Sequence, residues 1–162
     1  MNEPTSPPCG AADADDVYMG YAGRDEIVAA LNELLEAERA GARVAAESAK
    51  TRSPAGFAEL MRHVRADEAH WCAMLDRHIR CLDGSPSHST GDFHARAMAI
   101  ADPVERLSFL NRGQQWVVRK LEALMPRIRD DRLHADLAEM AQRHRDNVAA
   151  AEDFLGRLQS RK

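Results

Sequence analysis

The sequence predicts an all-α protein built as a bundle of four long helices. Four stretches repeat apolar residues at helical spacing, the composition is rich in the helix formers Ala, Leu, Arg and Glu, and most glycines fall outside the periodic stretches. At 162 residues the chain is long enough for one domain with a single core. Hydrophobic residues make up 44% of the chain and charged residues 30%, which is typical of a globular protein.

The first two long helices are predicted over residues 25–50 and 54–82. Ser53 is a suitable N-cap residue, and Pro54 suits the first helical position that follows it. The sequence Asp-Gly-Ser-Pro at residues 83–86 then ends the second helix. Because the link between these helices is short, we expect them to be antiparallel.

The last two long helices are predicted over residues 103–128 and 131–158, again with a short link. Pro126 falls in the last turn of the third helix and could end it early. Residues 83–102 connect the two pairs and include a short predicted helix over residues 92–100. This connection can reach about 40 Å, the length of one long helix. The third helix can therefore start at the far end of the bundle and run parallel to the second.

Residues 1–23 are rich in Pro, Gly, Ala and Asp and contain few residues that could join a core. This composition predicts a disordered or loosely docked N-terminal arm. Residues 24–162 then form the helical domain.

The charge of the chain indicates which partners to expect, and its cysteine content indicates the cellular compartment. The formal net charge is -4, and the basic residues alternate with acidic ones, which argues against a nucleic-acid-binding surface. No apolar run is long enough to cross a bilayer, and the first residues lack the basic and apolar regions of a secretory signal. The three cysteines show no framework spacing, so we expect a reducing compartment, the cytoplasm.

Each long helix carries polar residues in the middle of its apolar stripe. These residues are Glu38, Glu68, Gln114, and the pair His144 and Asn147. Burying carboxylates, amides and an imidazole is unfavourable unless they bond to one another or hold a metal. Because every one of them lies near the middle of its helix, we expect them to meet at one level of the bundle.

The chain resembles the ferritin-like superfamily, specifically its small bacterial members of unassigned function among the rubrerythrin-like and bacterioferritin-like bundles. The resemblance covers about residues 25–158 and rests on helix order, the long crossover and the placement of the polar residues. The most similar segments are LNELLEAERAGARV at 31–44, ADEAHWCAMLDRHI at 66–79 and FLNRGQQWVVRKL at 109–121. The resemblance implies a ferritin-like four-helix bundle with one long crossover and, by analogy, a homodimer.

In metal-binding members of the superfamily, one helix of each pair gives a Glu and the other gives Glu-x-x-His. In the first helix pair, Glu38 matches the single Glu and Glu68 matches the Glu of the motif, but Trp71 stands where the motif has His. In the second pair, Gln114 replaces the single Glu. His144 and Asn147 replace the Glu and the His of the second motif. Two ligands of six are therefore kept.

Three interpretations of this substituted site stay open. A di-iron centre needs about four carboxylates to offset its charge, and this site offers only two. A single iron, manganese or zinc ion could be held by Glu38, Glu68 and His144, since two carboxylates and one imidazole suit these metals. Without metal, His144 could share protons with the two carboxylates, while Trp71, Gln114 and Asn147 complete the hydrogen bonds.

Two further groups of residues are candidates for binding. His63, Asp67 and His70 have spacing that could hold zinc, and Asp67-x-x-His70 gives an alternative register for the second-helix motif, although on a poorer face. Trp116 and Phe109 lie beside arginines on the outward face of the third helix. They indicate either an interface or packing under the crossover.

We therefore expect a ferritin-like bundle of unknown physiological role, whose substituted di-iron site forms a buried polar cluster holding at most one divalent metal. One alternative is a non-haem iron or manganese oxidoreductase that acts on oxygen or peroxide. Another is a protein-interaction module that uses Trp116 and its neighbours.

Overall fold

The computed structural model describes residues 15–160, which form five α-helices, one 3-10 turn and no β-strand. The α-helices are α1 (Arg24–Ser48), α2 (Phe57–Cys81), α3 (Phe93–Met98), α4 (Pro103–Leu124) and α5 (Asp131–Gln159). The 3-10 turn spans Met125–Arg127. The predicted all-α class is confirmed, with four long helices and a short one inside the crossover.

The four long helices form a bundle in which α1 packs against α2 and α4, and α5 packs against the same two helices. Helices α1 and α5 are therefore diagonal, as are α2 and α4. Lys120 near the end of α4 bonds to Glu33 near the start of α1, so these two helices are antiparallel. His78 near the end of α2 contacts Asp136 near the start of α5, which makes that pair antiparallel too. Helices α2 and α4 consequently run in the same direction, as the long crossover predicts.

The crossover is fixed along the outer side of α1. Asn32 donates to the Ser85 carbonyl at 3.1 Å, and Arg39 donates to the Ser87 carbonyl at 2.6 Å. His94 of α3 then contacts Glu47 at 2.8 Å, near the last turn of α1. The connection thus travels the length of α1 and delivers the chain to the end where α4 begins.

The helix boundaries follow the local signals except at the start of α2 and at the end of α4, which comes four residues before the predicted end at residue 128. Asp102 caps α4 as predicted, because its carboxylate accepts from Val104 at 2.8 Å and from Glu105 at 2.9 Å. Helix α4 ends at Leu124, and Pro126 lies in the 3-10 turn that follows. The predicted start of the second helix at Pro54 is wrong by three residues. Gly56 has φ of 86°, which a helix cannot include, so α2 begins at Phe57.

Two apolar clusters form the core, one on each side of a polar layer. The first apolar cluster contains Leu31, Leu75, Leu121 and Leu137, and the second contains Val44, Phe57, Leu107 and Phe154. The polar layer consists of Glu38, Glu68, Gln114 and His144, each buried. On every long helix, the polar residue stands between the residues of the two clusters.

Part of the predicted N-terminal arm is described. Residues 1–14 lie outside the described range, whereas residues 15–23 lie against the α4–α5 connection. There the Ala22 amide donates to the Arg127 carbonyl at 2.8 Å, and Arg129 bonds to Asp16 at 2.5 Å. Among the described residues, none of the helices combines the length and the apolar character that crossing a bilayer requires.

Candidate functional site

Glu38 of α1 and His144 of α5 reach each other across the bundle diagonal. His144 Nε2 lies 3.0 Å from Glu38 Oε1, and the two residues are 0% and 1% exposed. This is a fully buried contact between two ionisable groups. Because both side chains are buried away from water, ionising either one alone would have a large desolvation cost.

The backbone fixes the position of one proton on the ring. His144 Nδ1 lies 2.9 Å from the Met140 carbonyl oxygen. A carbonyl only accepts, so Nδ1 carries the hydrogen and donates it. Nε2 therefore shares one further proton with Glu38, or stays free of hydrogen and ready to bind a metal, the usual arrangement for a histidine ligand.

Glu68 of α2 forms the other half of the polar layer with Gln114 of α4. The Gln114 amide nitrogen donates to Glu68 Oε1. The carboxylate lies directly over Gly41 of α1, where a Cβ atom would come within 2.5 Å of both of its oxygens. Gly41 thus provides the space in which the Glu68 carboxylate sits.

Several buried polar atoms, three in the layer and one in the adjoining apolar cluster, have no hydrogen-bond partner among the described residues. They are Glu38 Oε2, Glu68 Oε2, Gln114 Oε1 and the indole nitrogen of Trp71. The first three are oxygen atoms contributed by three different helices, α1, α2 and α4. A buried acceptor without a donor is unfavourable, so these oxygens are suited to receive protons, water or a cation.

Burial controls the charge of the layer. Desolvation, reinforced by the negative charge of Glu38, raises the pKa of Glu68 well above its usual value, although the bond from Gln114 opposes this. For His144, desolvation lowers the pKa, but the Glu38 carboxylate and its hydrogen bond outweigh it and the net shift is upward. Both residues thus hold their protons to higher pH than they would in water.

Two predicted members of the cluster have other surroundings. Trp71 is buried in the first apolar cluster, with its ring edge-on to His70 at 4.5 Å between centroids. The expectation that Asn147 completes the cluster is not met, because its amide donates to Asp67 at 3.1 Å. Asn147 lies almost one turn beyond His144, so it faces the flank of α2, where Asp67 stands.

The alternative zinc residues do not assemble. His63 Nε2 lies 3.5 Å from Asp67, but both histidines of this group are exposed, and His70 turns to the Trp71 ring. Within residues 15–160, no three His, Cys, Asp or Glu side chains are grouped closely enough to hold a metal ion. This includes Glu38, Glu68 and His144, of which only Glu38 and His144 are in contact.

The donor set decides which metal centre the residues could fit. Two carboxylates, one imidazole and one amide do not fit the di-iron centre that the fold implies, because four of six ligand positions carry other side chains. Two carboxylates with one unpartnered oxygen each and an imidazole are the donor types of a single divalent ion, but Glu38, Glu68 and His144 would have to move closer together than they lie among the described residues to hold one.

A cavity of about 450 Å³ connects the polar layer to the surface. It opens between α1, α3 and α4, and Glu38, Glu68 and Gln114 lie among its lining residues. Phe109 stacks on Phe93 of α3 with centroids 4.9 Å apart. Phe109 therefore packs under the crossover. For Phe109 and Trp116, the sequence left open whether they form an interface or pack under the crossover, and the structure answers this for Phe109.

Sequence reasoning did not find the roles of two glycines. Gly41 holds the Glu68 carboxylate, and Gly113 of α4 admits the Phe93 ring, which a Cβ atom would meet at 2.8 Å. In each case the atom that comes close belongs to another helix. The one signal in the sequence is the position of each glycine in the middle of a helix. A glycine there lowers helix stability by about 1 kcal/mol relative to alanine, so its presence indicates that a neighbouring group needs the space.

Comparisons with known proteins agree with this architecture. A family model described as "Domain of unknown function (DUF6306)" matches residues 25–153. A crystal structure of a ferritin-like, diiron-carboxylate protein from Bacillus anthracis str. Ames superposes with a TM-score of 0.61, covering 85% of this chain and 95% of that chain at 18% identity. At that identity the likeness establishes the fold alone. The curated proteins include no match.

Proposed function

Since the chain belongs to the DUF6306 family, whose function is unknown, we propose from its own residues that the di-iron site of its fold is replaced by a buried polar cluster that holds at most one divalent metal ion. The protein then acts by binding rather than by two-metal oxygen chemistry. The proposal is supported by one observation above the others. Each carboxylate of the layer has one oxygen engaged by a neighbour, His144 or Gln114, and one oxygen without a partner.

Charge balance limits the occupancy. Glu38 and Glu68 supply two negative charges when both are ionised, and Gln114 supplies none. One divalent cation beside a neutral His144 makes the layer neutral, whereas a second cation would add two uncompensated charges in a dry interior.

The metal-free layer reaches the same neutrality with protons. A protonated Glu68 is neutral, and Glu38 and His144 share one proton as an ion pair or as a neutral pair. The upward pKa shifts of Glu68 and His144 both favour this state. A metal ion must displace these protons, so metal binding weakens as the pH falls.

The double variant Glu38→Gln with Glu68→Gln tests the proposal. Gln at position 38 can donate to His144 Nε2, and Gln at position 68 can accept from Gln114, so both hydrogen bonds survive while the buried charges disappear. We expect a folded protein at least as stable as the wild type in the presence of chelator. A variant that loses both bound metal and folding, while the wild type without chelator keeps both, would show that the carboxylates hold a metal on which the fold depends.

A second candidate function is a mononuclear iron or manganese oxidoreductase acting on oxygen or peroxide. The observation that favours it is the cavity, because a path from the surface to Glu38 and Glu68 would admit a small oxidant. Peroxide consumption by iron-loaded protein, lost in Glu68→Ala and kept in the exposed control Glu139→Ala, would establish this function. Equal rates in all three proteins would reject it.

A further inference from the structure

The inner end of the cavity beside α4 presents buried polar atoms that have no hydrogen-bond partner among the described residues. Gln114 is 5% exposed and Glu68 is 2% exposed, and both line the cavity with an oxygen that has no donor within reach. Glu38 Oε2 is in the same condition. A ligand that ends in a hydroxyl or a neutral amine would satisfy these atoms, because it can donate to Gln114 Oε1 and can accept a hydrogen bond from the proton that Glu68 holds in the metal-free layer.

The walls of the cavity are apolar and largely aromatic. Phe93, Phe109 and Trp116 line it together with aliphatic residues of α1 and α4. The Phe93 and Phe109 rings stack on each other with an interplanar angle of 25°, so a ligand can meet only their edges and outer faces. Aromatic walls of this kind bind a flat apolar body by offset stacking or edge contacts.

The outer end of the cavity is positively charged. Arg96, Arg112 and Arg119 line it, and all three are exposed. The guanidinium carbons of Arg96 and Arg112 each lie 5.5 Å from the centroid of the Phe109 ring, so they flank it. Among the described residues, no carboxylate lies within 4.0 Å of Arg112 or Arg119. Guanidinium groups without partners are suited to bind a carboxylate or phosphate.

We propose that this cavity binds a small organic acid with an aromatic body, its anionic group at the arginines and a hydroxyl or amine at the other end, against Glu68 and Gln114. Its volume of about 450 Å³ lies in the range of small-molecule pockets. A single ring with a short acid chain fits within that volume.

Three related probes separate the contributions of the two ends. They are 3-(4-hydroxyphenyl)propanoate, 3-phenylpropanoate, which lacks the hydroxyl, and 4-ethylphenol, which lacks the acid. Isothermal titration calorimetry on the full chain, treated with chelator, measures the affinity of each. We expect the hydroxy acid to bind most tightly, and each of the others to bind about tenfold more weakly because one end is unsatisfied.

A charge-removing variant locates the anion. Arg112→Gln with Arg119→Gln should weaken binding of the hydroxy acid about tenfold and leave binding of 4-ethylphenol unchanged. Arg143→Gln, an exposed arginine of α5 that does not line the cavity, is the matched control and should change neither affinity.

The proposal is overturned if neither acid binds saturably at millimolar concentration, if the phenol binds as tightly as the hydroxy acid, or if the double arginine variant binds like the wild type. The inference uses the same unpartnered oxygens as the proposed function, but it does not require a metal ion. The titrations use metal-free protein, and the metal content is measured separately, so either idea can fail while the other stands.

Discussion

The two helix pairs of this bundle contribute unlike side chains to one layer. Helices α1 and α2 supply the carboxylates of Glu38 and Glu68, whereas α4 and α5 supply the amide of Gln114 and the imidazole of His144. In the metal-binding proteins that the chain resembles, both pairs contribute the same kinds of ligand. Here one pair carries negative charge and the other carries hydrogen-bond donors.

This difference shows how two carboxylates can be buried at the centre of a four-helix bundle. A buried carboxylate needs a positive or donating partner, and metal ions are one such partner. Each carboxylate here faces a donor across the bundle, Glu38 facing His144 and Glu68 facing Gln114. Helices α4 and α5 thus supply the partners that the two buried carboxylates need.

The largest expected effect comes from removing a donor. His144→Ala leaves Glu38 buried without its partner and opens a cavity, so the free energy of unfolding should fall by about 3–5 kcal/mol. Urea denaturation followed by circular dichroism measures the change. His134→Ala, an exposed histidine of the same helix, should stay within about 0.5 kcal/mol of the wild type. A loss below about 1 kcal/mol in His144→Ala would mean that the pair does not support the fold.

The next effect tests the space under the Glu68 carboxylate. In Gly41→Ala the new methyl group meets both carboxylate oxygens, so we expect a loss of about 2 kcal/mol in urea denaturation. Gly156→Ala is the matched control, because nothing lies within 4 Å of a Cβ at that position on α5. It should gain about 0.5–1 kcal/mol from helix propensity. Stabilisation by both substitutions would show that Glu68 does not lie over Gly41.

A smaller effect depends on pH. The pKa of Glu68 is raised from 4.5 by burial, so folding favours its protonated form, and stability is lost as the pH rises through the raised pKa. Glu68→Gln cannot ionise and should be more stable than the wild type by about 1 kcal/mol at pH 8. The gain should vanish below about pH 4, where the wild type is protonated in both states. A gain that is equal at both pH values would exclude a titrating Glu68 as its cause.

The smallest effect is on reactivity rather than stability. Burial, followed by the negative charge of Glu38, raises the pKa of the Cys72 thiol to about 12. In a Cys9→Ser background, Cys72 should react with iodoacetamide at least about tenfold more slowly than the exposed Cys81. Glu38→Gln should accelerate Cys72 alone. Peptide mass spectrometry gives both rates, and an unchanged Cys72 rate in Glu38→Gln would place the negative charge elsewhere.

The sequence predicts the residues of the polar layer because helical periodicity is local. Glu38, Glu68, Gln114 and His144 each interrupt an apolar stripe, and all four are buried at one level in the structure. The antiparallel pairs and the parallel α2 and α4 follow from the lengths of the connections. These features depend on the spacing of residues along one segment of the chain, so they can be predicted from a single sequence.

Pairings across the bundle are not predictable in the same way. Asn147 has the same periodic signal as His144, yet its partner is Asp67 because of how α5 is rotated against α2. The start of α2 depends on the positive φ of Gly56. The Ser53-Pro54 sequence just before it is a favourable helix start, so it predicts a start that is too early. The cavity needs α3 to dock on α4, a contact that no local pattern records.

The account of the polar cluster is tested most directly by counting metal ions per chain with inductively coupled plasma mass spectrometry. The protein is produced in metal-replete medium beside Glu38→Ala and Glu68→Ala. We predict at most one iron, manganese or zinc ion per wild-type chain, and none in either variant. Two ions per chain in the wild type would contradict the account, because Glu38, Glu68 and His144 cannot by themselves balance and hold a two-metal centre.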